Sequence, residues 1–167
     1  MTKERIILVI SLLLALSALI LTACSDQSAS ANSDISNAPV KPTLVKAQLN
    51  NDLVSIPLSD VENNTNTRFL VNTATDRLSF MAYKYNNQIH IRADICPPCR
   101  SESFTLTKGT LVCDTCGTVF EAKNGNGVKG ACVKFPKASV AYEVKDGKLI
   151  MKVKDLAFAY QDTLKPN

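Results

Sequence analysis

Two pairs of cysteines constrain what this chain can fold into more than any other feature. Cys96 and Cys99 form the first pair and Cys113 and Cys116 the second, with two residues inside each pair and thirteen between the pairs. A two-residue spacing lets a tight turn aim both sulfurs at one point, so two such turns can complete a tetrahedral shell of sulfur ligands. The spacing therefore predicts one metal centre, held by two loops that a single hairpin connects.

The spacing leaves the identity of the metal open. Tetrahedral sulfur suits zinc, a single iron ion or a [2Fe–2S] cluster. Gly117 directly follows the second pair and fits a turn that directs backbone N–H groups at sulfur, which is useful to zinc ribbons and to iron centres alike. Composition taken by itself favours zinc.

The N-terminus resembles a bacterial lipoprotein signal. Lys3 and Arg5 give a basic start, an apolar run covers Ile6–Ile20, and Leu-Thr-Ala precedes Cys24. The run is shorter than the roughly 20 residues of a membrane span and ends in small residues, which disfavours a transmembrane anchor. The resemblance implies that cleavage leaves Cys24 as an acylated first residue, whose chains bury methylene groups at about 0.8 kcal/mol each. We therefore expect an extracytoplasmic protein, lipid-anchored to a bacterial membrane.

The chain divides into a predicted signal peptide over residues 1–23, a flexible tether over 24–42 and a β metal-binding domain over 43–163. Ser25 to Ala38 is almost entirely Ser, Asn, Asp and Ala, which cannot bury enough apolar area to offset the entropy of ordering. Removing 23 residues from 167 leaves 144, which suits one small domain and a linker. Such a tether keeps the domain within a few tens of ångströms of the bilayer, where it can contact membrane proteins.

Charge and motif content argue against several classes of function. Without Lys3, Glu4 and Arg5, the 19 basic and 15 acidic residues become 17 and 14, so the mature chain has only a small positive charge. The sequence has no clustered basic stripe with interleaved aromatics, which argues against nucleic-acid binding. It also has no evident Ser-His-Asp arrangement, phosphate loop or paired carboxylate motif. We expect an electron-transfer or metal-binding protein rather than an enzyme.

Short apolar stretches of period two follow Pro42, which predicts a mostly β domain. The predicted strands are Thr43–Leu49, Leu53–Leu58, Arg68–Val71, Leu78–Tyr85, Gln88–Ala93, Phe104–Leu106, Thr110–Val112, Thr118–Glu121, Val140–Lys145 and Leu149–Val153. Turns at Asn86-Asn87, Lys108-Gly109 and Asp146-Gly147 predict three hairpins. No helical periodicity is long enough to predict a helix, and Leu156–Thr163 is assigned to neither class.

Other uses of the cysteines compete with a metal centre. An exported chain meets oxidising conditions that favour disulfides, but two disulfides would leave one of the five cysteines after Cys24 unmatched. A reactive thioredoxin-type pair at Cys96 and Cys99 needs a helix N-terminus to lower its thiol pKa, whereas residues 100–103 lead into another strand. Covalent haem is disfavoured because neither pair is followed by histidine.

A longer pattern surrounds the cysteine pairs. Its residues are the first pair, Leu-Val-Cys-Asp-Thr-Cys-Gly-Thr-Val-Phe over 111–120, Gly130-Ala131-Cys132 and Pro136. This pattern resembles the bacterial membrane iron–sulfur family called FtrD-like, although Ala131 replaces the second glycine of the family's Gly-Gly-Cys-Asn-Pro element and Val133-Lys134 replaces its Asn-Pro. The resemblance covers about Val54 to Val153. It implies a [2Fe–2S] cluster or mononuclear iron, with partners in membrane iron-uptake or respiratory systems.

The same stretch resembles the Rieske iron–sulfur domain more distantly, in the order of a cysteine loop, a hairpin, a second loop and a final hairpin. This likeness implies a small antiparallel sandwich or barrel with two cysteine-bearing metal loops. Rieske loops supply one histidine each, whereas here Cys99 and Cys116 stand near those places and the only histidine, His90, lies in an earlier predicted strand. Four thiolates leave more negative charge on an iron centre than two thiolates and two imidazoles, which predicts a low reduction potential.

Two further residues have competing interpretations. Cys132 is either a small buried hydrophobe beside Phe135 or a spare or exchangeable metal ligand, as its glycine-rich approach and its place in the family motif suggest. His90 alternates with Ile89 and Ile91, so its imidazole is expected on the opposite face from that apolar pair. This alternation predicts a solvated position for His90.

The leading functional hypothesis is an exported, lipid-anchored redox protein that passes single electrons through an iron centre. Its predicted metal ligands are Cys96, Cys99, Cys113 and Cys116. Acyl chains on Cys24 would bring it to membrane redox or iron-transport proteins. An alternative of another class is a non-redox module that zinc staples together and that recognises another protein. A third hypothesis is metal capture or delivery, with Cys132 taking part in exchange.

Overall fold

The computed structural model of the protein describes residues 38–167. The predicted signal peptide and the predicted lipidation site, Cys24, lie outside the described residues. The strands are β1 (Thr43–Val45), β2 (Gln48–Asn50), β3 (Leu53–Pro57), β4 (Asn66–Asn72), β5 (Arg77–Tyr85), β6 (Gln88–Ala93), β7 (Phe104–Thr107), β8 (Thr110–Cys113), β9 (Val119–Glu121), β10 (Gly127–Lys129), β11 (Glu143–Lys145) and β12 (Lys148–Lys152), and the helices are α1 (Leu58–Asn64) and α2 (Val153–Thr163). The strands form three four-stranded sheets.

The first sheet, which we name the central sheet, has the strand order β1-β4-β5-β6. Strand β5 pairs antiparallel with both of its neighbours, whereas the short β1 pairs parallel with β4. Asn86 and Asn87 form the turn between β5 and β6 with φ angles of 49° and 59°. Asparagine enters this left-handed region more readily than most side chains, and the hairpin predicted at these two residues is confirmed.

The second sheet, the cysteine sheet, has the order β10-β9-β8-β7 with antiparallel pairs throughout. The turn between β7 and β8 uses Lys108 and Gly109, with φ angles of 46° and 73°, which confirms the hairpin predicted between the cysteine pairs. In this hairpin Phe104 lies opposite Cys113. The end of the first cysteine loop and the start of the second therefore lie side by side.

The third sheet, the terminal sheet, has the order β11-β12-β3-β2 and joins early and late parts of the domain. Strand β12 pairs antiparallel with β3 over five residues, with Met151 opposite Val54. Asp146 and Gly147 form the turn before β12 with φ angles of 50° and 69°. The closing hairpin predicted from these residues is confirmed.

Strand β5 separates two hydrophobic cores. Phe80 and Ala82 point into the first core, which also contains buried residues of β3, β4, β12 and α2. Met81 and Tyr83 point the opposite way, into the second core, as the two-residue period of a strand requires. The cysteines of this second core are Cys96, Cys113 and Cys132. The central sheet is thus the wall against which the cysteine-bearing segments pack.

The structure contains two helices that the sequence did not predict, and one of them includes Leu156–Thr163, which the sequence left unassigned. Helix α1 has seven residues, too few for a periodic pattern to stand out. Helix α2 buries Leu156, Ala159 and Thr163, which follow the spacing of one helix face. The polar Thr163 obscures that pattern in the sequence, yet its Oγ1 is satisfied because it accepts the N–H of Ala138 at 2.9 Å.

Several predicted strand boundaries also differ from the structure, and three predicted strands differ most. The strand predicted over Thr43–Leu49 is two strands, β1 in the central sheet and β2 in the terminal sheet. Its apolar pattern was misleading because Leu44 and Leu49 are 64% and 53% exposed. The strand predicted over Leu53–Leu58 ends at Pro57, and Leu58 begins α1. The strand predicted over Val140–Lys145 shortens to β11, Glu143–Lys145.

Candidate metal centre

The first cysteine pair lies in a tight turn shortly after β6. The N–H of Cys96 donates to the carbonyl of Ser101 at 2.8 Å, which closes the turn. Arg100, just before that carbonyl, has a φ of 56° and so reverses the chain. Cys96 is buried and Cys99 is half-buried. The turn therefore keeps one sulfur inside the second core and the other near its edge.

The second pair lies in a turn that extends β8. The N–H of Cys113 donates to the carbonyl of Thr118, and the N–H of Gly117 donates to the carbonyl of Cys113, both at 2.9 Å. Gly117 has a φ of 69°, and a Cβ there would meet nothing within 4 Å. Glycine is therefore favoured at this position by the left-handed backbone conformation, and not because a side chain would clash. The carboxylate of Asp114 accepts the hydroxyl of Ser103 at 2.5 Å, which ties this turn to the end of the first loop.

Two glycines bring Cys132 against the second turn. A Cβ on Gly127 would lie 2.5 Å from Cα of Val133, and one on Gly130, where φ is 116°, would lie 2.8 Å from Cα of Thr118. Any side chain at either position would therefore push these segments apart. The N–H of Cys132 donates to Oγ1 of Thr118 at 3.2 Å. The glycine-rich segment thus places a fifth cysteine beside the two pairs.

Five cysteine sulfurs meet where the three segments converge. The Sγ–Sγ distance is 4.0 Å between Cys96 and Cys116 and 3.7 Å between Cys99 and Cys113. Cys132 lies 3.7 Å from Cys116 by the same measure. Thiolates bound at about 2.3 Å to one tetrahedral metal lie about 3.8 Å apart, so these distances fit ligands of a shared centre. In the described part of the chain, all five cysteines are free.

The most compact group of four sulfurs differs from the predicted one. The sulfurs that all lie within 4.8 Å of one another are those of Cys96, Cys99, Cys116 and Cys132. The sequence spacing selects Cys113 for this set and leaves Cys132 as the spare residue. The structure brings all four predicted ligands together and adds Cys132 to them. The assignment of four particular ligands stays a prediction.

The cluster has a buried side and an open side. Three of its cysteines are at most 2% exposed: Cys96, Cys113 and Cys132. Burial raises the pKa of the Cys96 thiol, and it raises the pKa of Cys99 to about 11. Burial also acts to raise the pKa of Cys116, but hydrogen bonds from Thr118 and neighbouring thiols outweigh it and lower that pKa to about 6. The exposed Cys116 is therefore a thiolate at neutral pH in the metal-free protein, ready to bind an incoming metal.

A lysine lies on the buried side of the cluster. Lys137 is 1% exposed, and its Nζ donates to the carbonyl of Ile95 at 2.7 Å. The same nitrogen lies 4.5 Å from the ring centroid of Phe120 and 5.4 Å from that of Phe104. Burial lowers the pKa of Lys137 to about 8, while the nearby Cys96, Cys113, Cys132 and Asp94 act to raise it. A buried lysine side chain therefore lies in the same core as the buried cysteines.

Arg92 ties the glycine-rich segment to the central sheet. Its Nε donates to Oη of Tyr83, its Nη1 to the carbonyl of Lys137 and its Nη2 to the carbonyl of Lys123, each at 2.8 Å. Oη of Tyr83 in turn donates to the carbonyl of Ala122 at 2.5 Å. The carbonyls of Ala122, Lys123 and Lys137 thus accept hydrogen bonds from side chains of β5 and β6. These bonds hold both ends of the segment that carries Cys132 against the central sheet.

Sequence reasoning missed Lys137, Arg92 and Thr118 as surroundings of the site. The available signal was a basic residue among apolar neighbours, as with Arg92 between Ile91 and Ala93, since such a residue is either solvated or a buried donor.

The solvated position predicted for His90 is corrected. Its half-buried ring stacks on the opposing Tyr83 with a centroid distance of 5.4 Å, and burial, then the charge of Arg92, lowers its pKa.

The hairpins and the cysteine cluster define a small, mostly β metal-binding domain. The family described as "Membrane iron-sulfur containing protein FtrD-like" matches residues 61–161, which is more than half of the chain. The chain therefore belongs to this family, and the resemblance drawn from the cysteine motifs is confirmed. The family's description and the sulfur cluster together support an iron–sulfur or other metal cofactor.

Two solved structures are similar to this one. A chain of "Complex of reduced oxygenase and oxidized ferredoxin in carbazole 1,9a-dioxygenase" aligns with a TM-score of 0.51 and 21% identity, over 62% of this chain and 95% of that one. "Sphingomonas yanoikuyae B1 ferredoxin" aligns with a TM-score of 0.42 and 12% identity, over 51% of this chain and 83% of that one. The first similarity and the small antiparallel sheets confirm the predicted mostly β, Rieske-like fold class.

No curated protein matches the chain. Neither helix of residues 38–167 is long and apolar enough to cross a bilayer. The association with membranes comes from the description of the family.

Proposed function

We propose that this chain is an exported, lipid-anchored iron–sulfur protein that passes single electrons between membrane partners. One observation carries the proposal: five cysteine sulfurs meet with neighbour distances of 3.7 to 4.0 Å. Sulfur-only donor sets select zinc, copper(I) or iron–sulfur centres. Membership of a family described as iron–sulfur containing favours iron among these.

The two cysteine pairs would hold the centre, with a fifth sulfur beside them. The predicted ligands are Cys96, Cys99, Cys113 and Cys116. When bound, a [2Fe–2S] cluster or a mononuclear iron supplies one-electron redox chemistry. The buried cysteines keep water from its inner side, while the exposed Cys116 leaves an edge at which a partner can come within range for electron exchange. Each cysteine turn thus combines a buried sulfur with a more exposed one, Cys96 with Cys99 in the first turn and Cys113 with Cys116 in the second.

The predicted lipid anchor explains how the site would meet its partners. Acyl chains on Cys24 would hold the domain at the membrane, and residues 24–42 would act as the tether. Membrane redox or iron-transport proteins are the partners this arrangement suits. Cys24→Ala should release the protein from the membrane fraction, and normal lipid labelling of that variant would contradict the anchor.

Purification without oxygen tests the metal centre directly. Thiolate-bound iron should colour the protein and give charge-transfer absorption between roughly 320 and 600 nm, whereas zinc is colourless. Iron and acid-labile sulfide analysis then distinguishes a single iron from a [2Fe–2S] cluster. Cys113→Ser should abolish the colour. A colourless protein with stoichiometric zinc, or one whose cysteines are crosslinked and metal-free, would overturn the proposal.

Metal capture or delivery is a second candidate function, favoured by the fifth sulfur and by the exposed, low-pKa Cys116. A carrier must release its metal, so a thiolate beyond the four ligands can assist exchange by displacing another. On this hypothesis Cys132 is not one of the four ligands, so Cys132→Ser should keep the wild-type metal affinity and transfer zinc or iron to a competing chelator more slowly than the wild type. A loss of affinity in Cys132→Ser would instead make it a ligand. An electron-transfer protein should instead retain its metal through repeated cycles of reduction and oxidation.

A further inference from the structure

Lys137 is held in place by its backbone and by its side chain. Its N–H donates to the carbonyl of Gly125, and its own carbonyl accepts Nη1 of Arg92, both at 2.8 Å. A Cβ on Gly125 would lie 2.3 Å from that carbonyl oxygen, so the two segments are in close contact. With Nζ bonded to Ile95 at 2.7 Å, the ammonium has one defined position next to the first cysteine loop.

The ammonium of Lys137 has no carboxylate within salt-bridge distance among residues 38–167. Its direct contacts are one carbonyl and the faces of Phe104 and Phe120. Both rings belong to the same buried core as Cys96, Cys113 and Cys132, and Ile95 directly precedes Cys96. The nearby carboxylate of Asp94 is already paired with Arg68 at 3.1 Å. A buried ammonium with a single hydrogen bond is costly unless opposite charge is close. The negative charge of the sulfur cluster is the compensation that this position offers.

We infer that Lys137 is the internal counter-ion of the cysteine cluster. Its positive charge lies beside the position of a metal–thiolate centre and offsets the negative charge that four thiolates bring to such a centre. A second consequence rests on the iron–sulfur function proposed above. One electron from a donor adds a negative charge to the centre and later leaves to an acceptor, while no bond to Lys137 forms or breaks. A fixed cation favours the reduced form and raises the reduction potential above that expected for thiolates alone.

Three substitutions separate the charge from the packing and the hydrogen bond. Lys137→Met keeps an unbranched apolar stem and removes the charge, and Lys137→Gln also keeps a donor for the Ile95 carbonyl. Lys137→Arg keeps the charge. The matched control is Lys134→Met, which makes the same change in net charge at an exposed position of the same segment. A role in packing alone predicts that Gln and Arg behave alike, whereas a counter-ion predicts that they differ.

Redox titration of the iron-loaded full chain gives the first readout. Lys137→Met and Lys137→Gln should each lower the ratio of reduced to oxidised protein at a fixed applied potential by about tenfold, a shift of about 59 mV to more negative values for one electron. Lys137→Arg and Lys134→Met should titrate within error of the wild type. Wild-type potentials in both neutral variants, or an equal shift in Lys134→Met, would overturn the inference.

Cadmium affinity gives a second readout that does not depend on iron. In competition with a chelator, Lys137→Met and Lys137→Gln should bind Cd(II) about tenfold more weakly than the wild type, and Lys134→Met should bind it equally well. If the chain acquires no iron, the proposed function fails while this comparison still tests the counter-ion. If the neutral variants do not fold, Lys137→Arg decides, since loss of Cd(II) affinity in a folded, charge-retaining variant contradicts the inference.

Discussion

Cys132 Sγ lies 3.7 Å from Cys116 Sγ, as close as Cys99 lies to Cys113. The contact joins residues sixteen positions apart, and it depends on the close approach of Gly130 to the second cysteine turn. A buried thiol that only fills space has no need to face another sulfur at ligand spacing. The geometry therefore favours the interpretation of Cys132 as a metal ligand over that of a small buried hydrophobe.

Replacing Cys132 by serine should weaken metal binding by more than about 100-fold, because loss of a ligand exceeds the 10 to 100-fold cost of losing a ligand's supporting partner. Metal content after purification and Cd(II) competition measure the effect. Cys99→Ser is the matched comparison, since it removes a sulfur with the same spacing to its neighbour. Wild-type affinity in Cys132→Ser, together with an ordinary loss of folding stability, would restore the packing interpretation.

Thr118→Val should weaken metal binding by about tenfold. Thr118 is fully buried, and its Oγ1 lies 3.2 Å both from Sγ of Cys116 and from the N–H nitrogen of Cys132. Valine has nearly the same shape, but it raises the pKa of Cys116 back towards the ordinary thiol value and leaves the N–H of Cys132 without its partner.

Thr118→Ser is the control because it keeps the hydroxyl. It should retain most of the affinity, measured by Cd(II) competition as above. Equal losses in the serine and valine variants would mean that the methyl group, and not the hydrogen bonds, matters at this position.

The parts of the fold that the sequence predicts well are those set by local chemistry. Asn86-Asn87, Lys108-Gly109 and Asp146-Gly147 adopt the left-handed conformations that their side chains, or lack of one, permit. Two-residue spacing likewise brings the sulfurs of each cysteine pair to one turn. Such features need no knowledge of distant contacts, so a single sequence is enough to predict them.

The parts that the sequence does not predict depend on which segments meet in space. Nothing local indicates that Gly130 and Thr118 touch, that Lys137 enters a core of aromatic rings, or that β1 and β2 join different sheets. Helix α2 also escapes prediction, because a threonine on its buried face is satisfied only by the distant Ala138. Tertiary contacts decide each of these features.

Cys116 should be the first cysteine to be alkylated in the reduced, metal-free protein at neutral pH. With a pKa of about 6 it is ionised above that pH, whereas the pKa of Cys99 is raised to about 11 and that of Cys96 is also raised. Its rate with iodoacetamide should rise between pH 5 and about 7 and then level off, while the rate of Cys99 should keep rising into the alkaline range.

Mass spectrometry of the labelled peptides distinguishes the sites. Thr118→Val provides an internal control, because loss of the hydroxyl should move the rise for Cys116 to higher pH. Labelling of Cys99 as fast as Cys116 at pH 7 would show that the hydrogen bonds of Thr118 do not activate the exposed thiol.

Gly130→Ala should destabilise the domain by about 3 kcal/mol, since it combines a left-handed backbone with a steric clash. Gly130 has a φ of 116°, and its Cβ would lie 2.8 Å from Cα of Thr118. Gly147→Ala is the matched control: its φ is 69°, but a Cβ there would meet nothing within 4 Å. The control should lose only about 1 kcal/mol. Urea denaturation of the metal-free protein measures both values. Because the clash pushes Cys132 away from the second turn, only Gly130→Ala should also lose metal affinity, and equal effects of the two variants would refute this account of the glycine-rich segment.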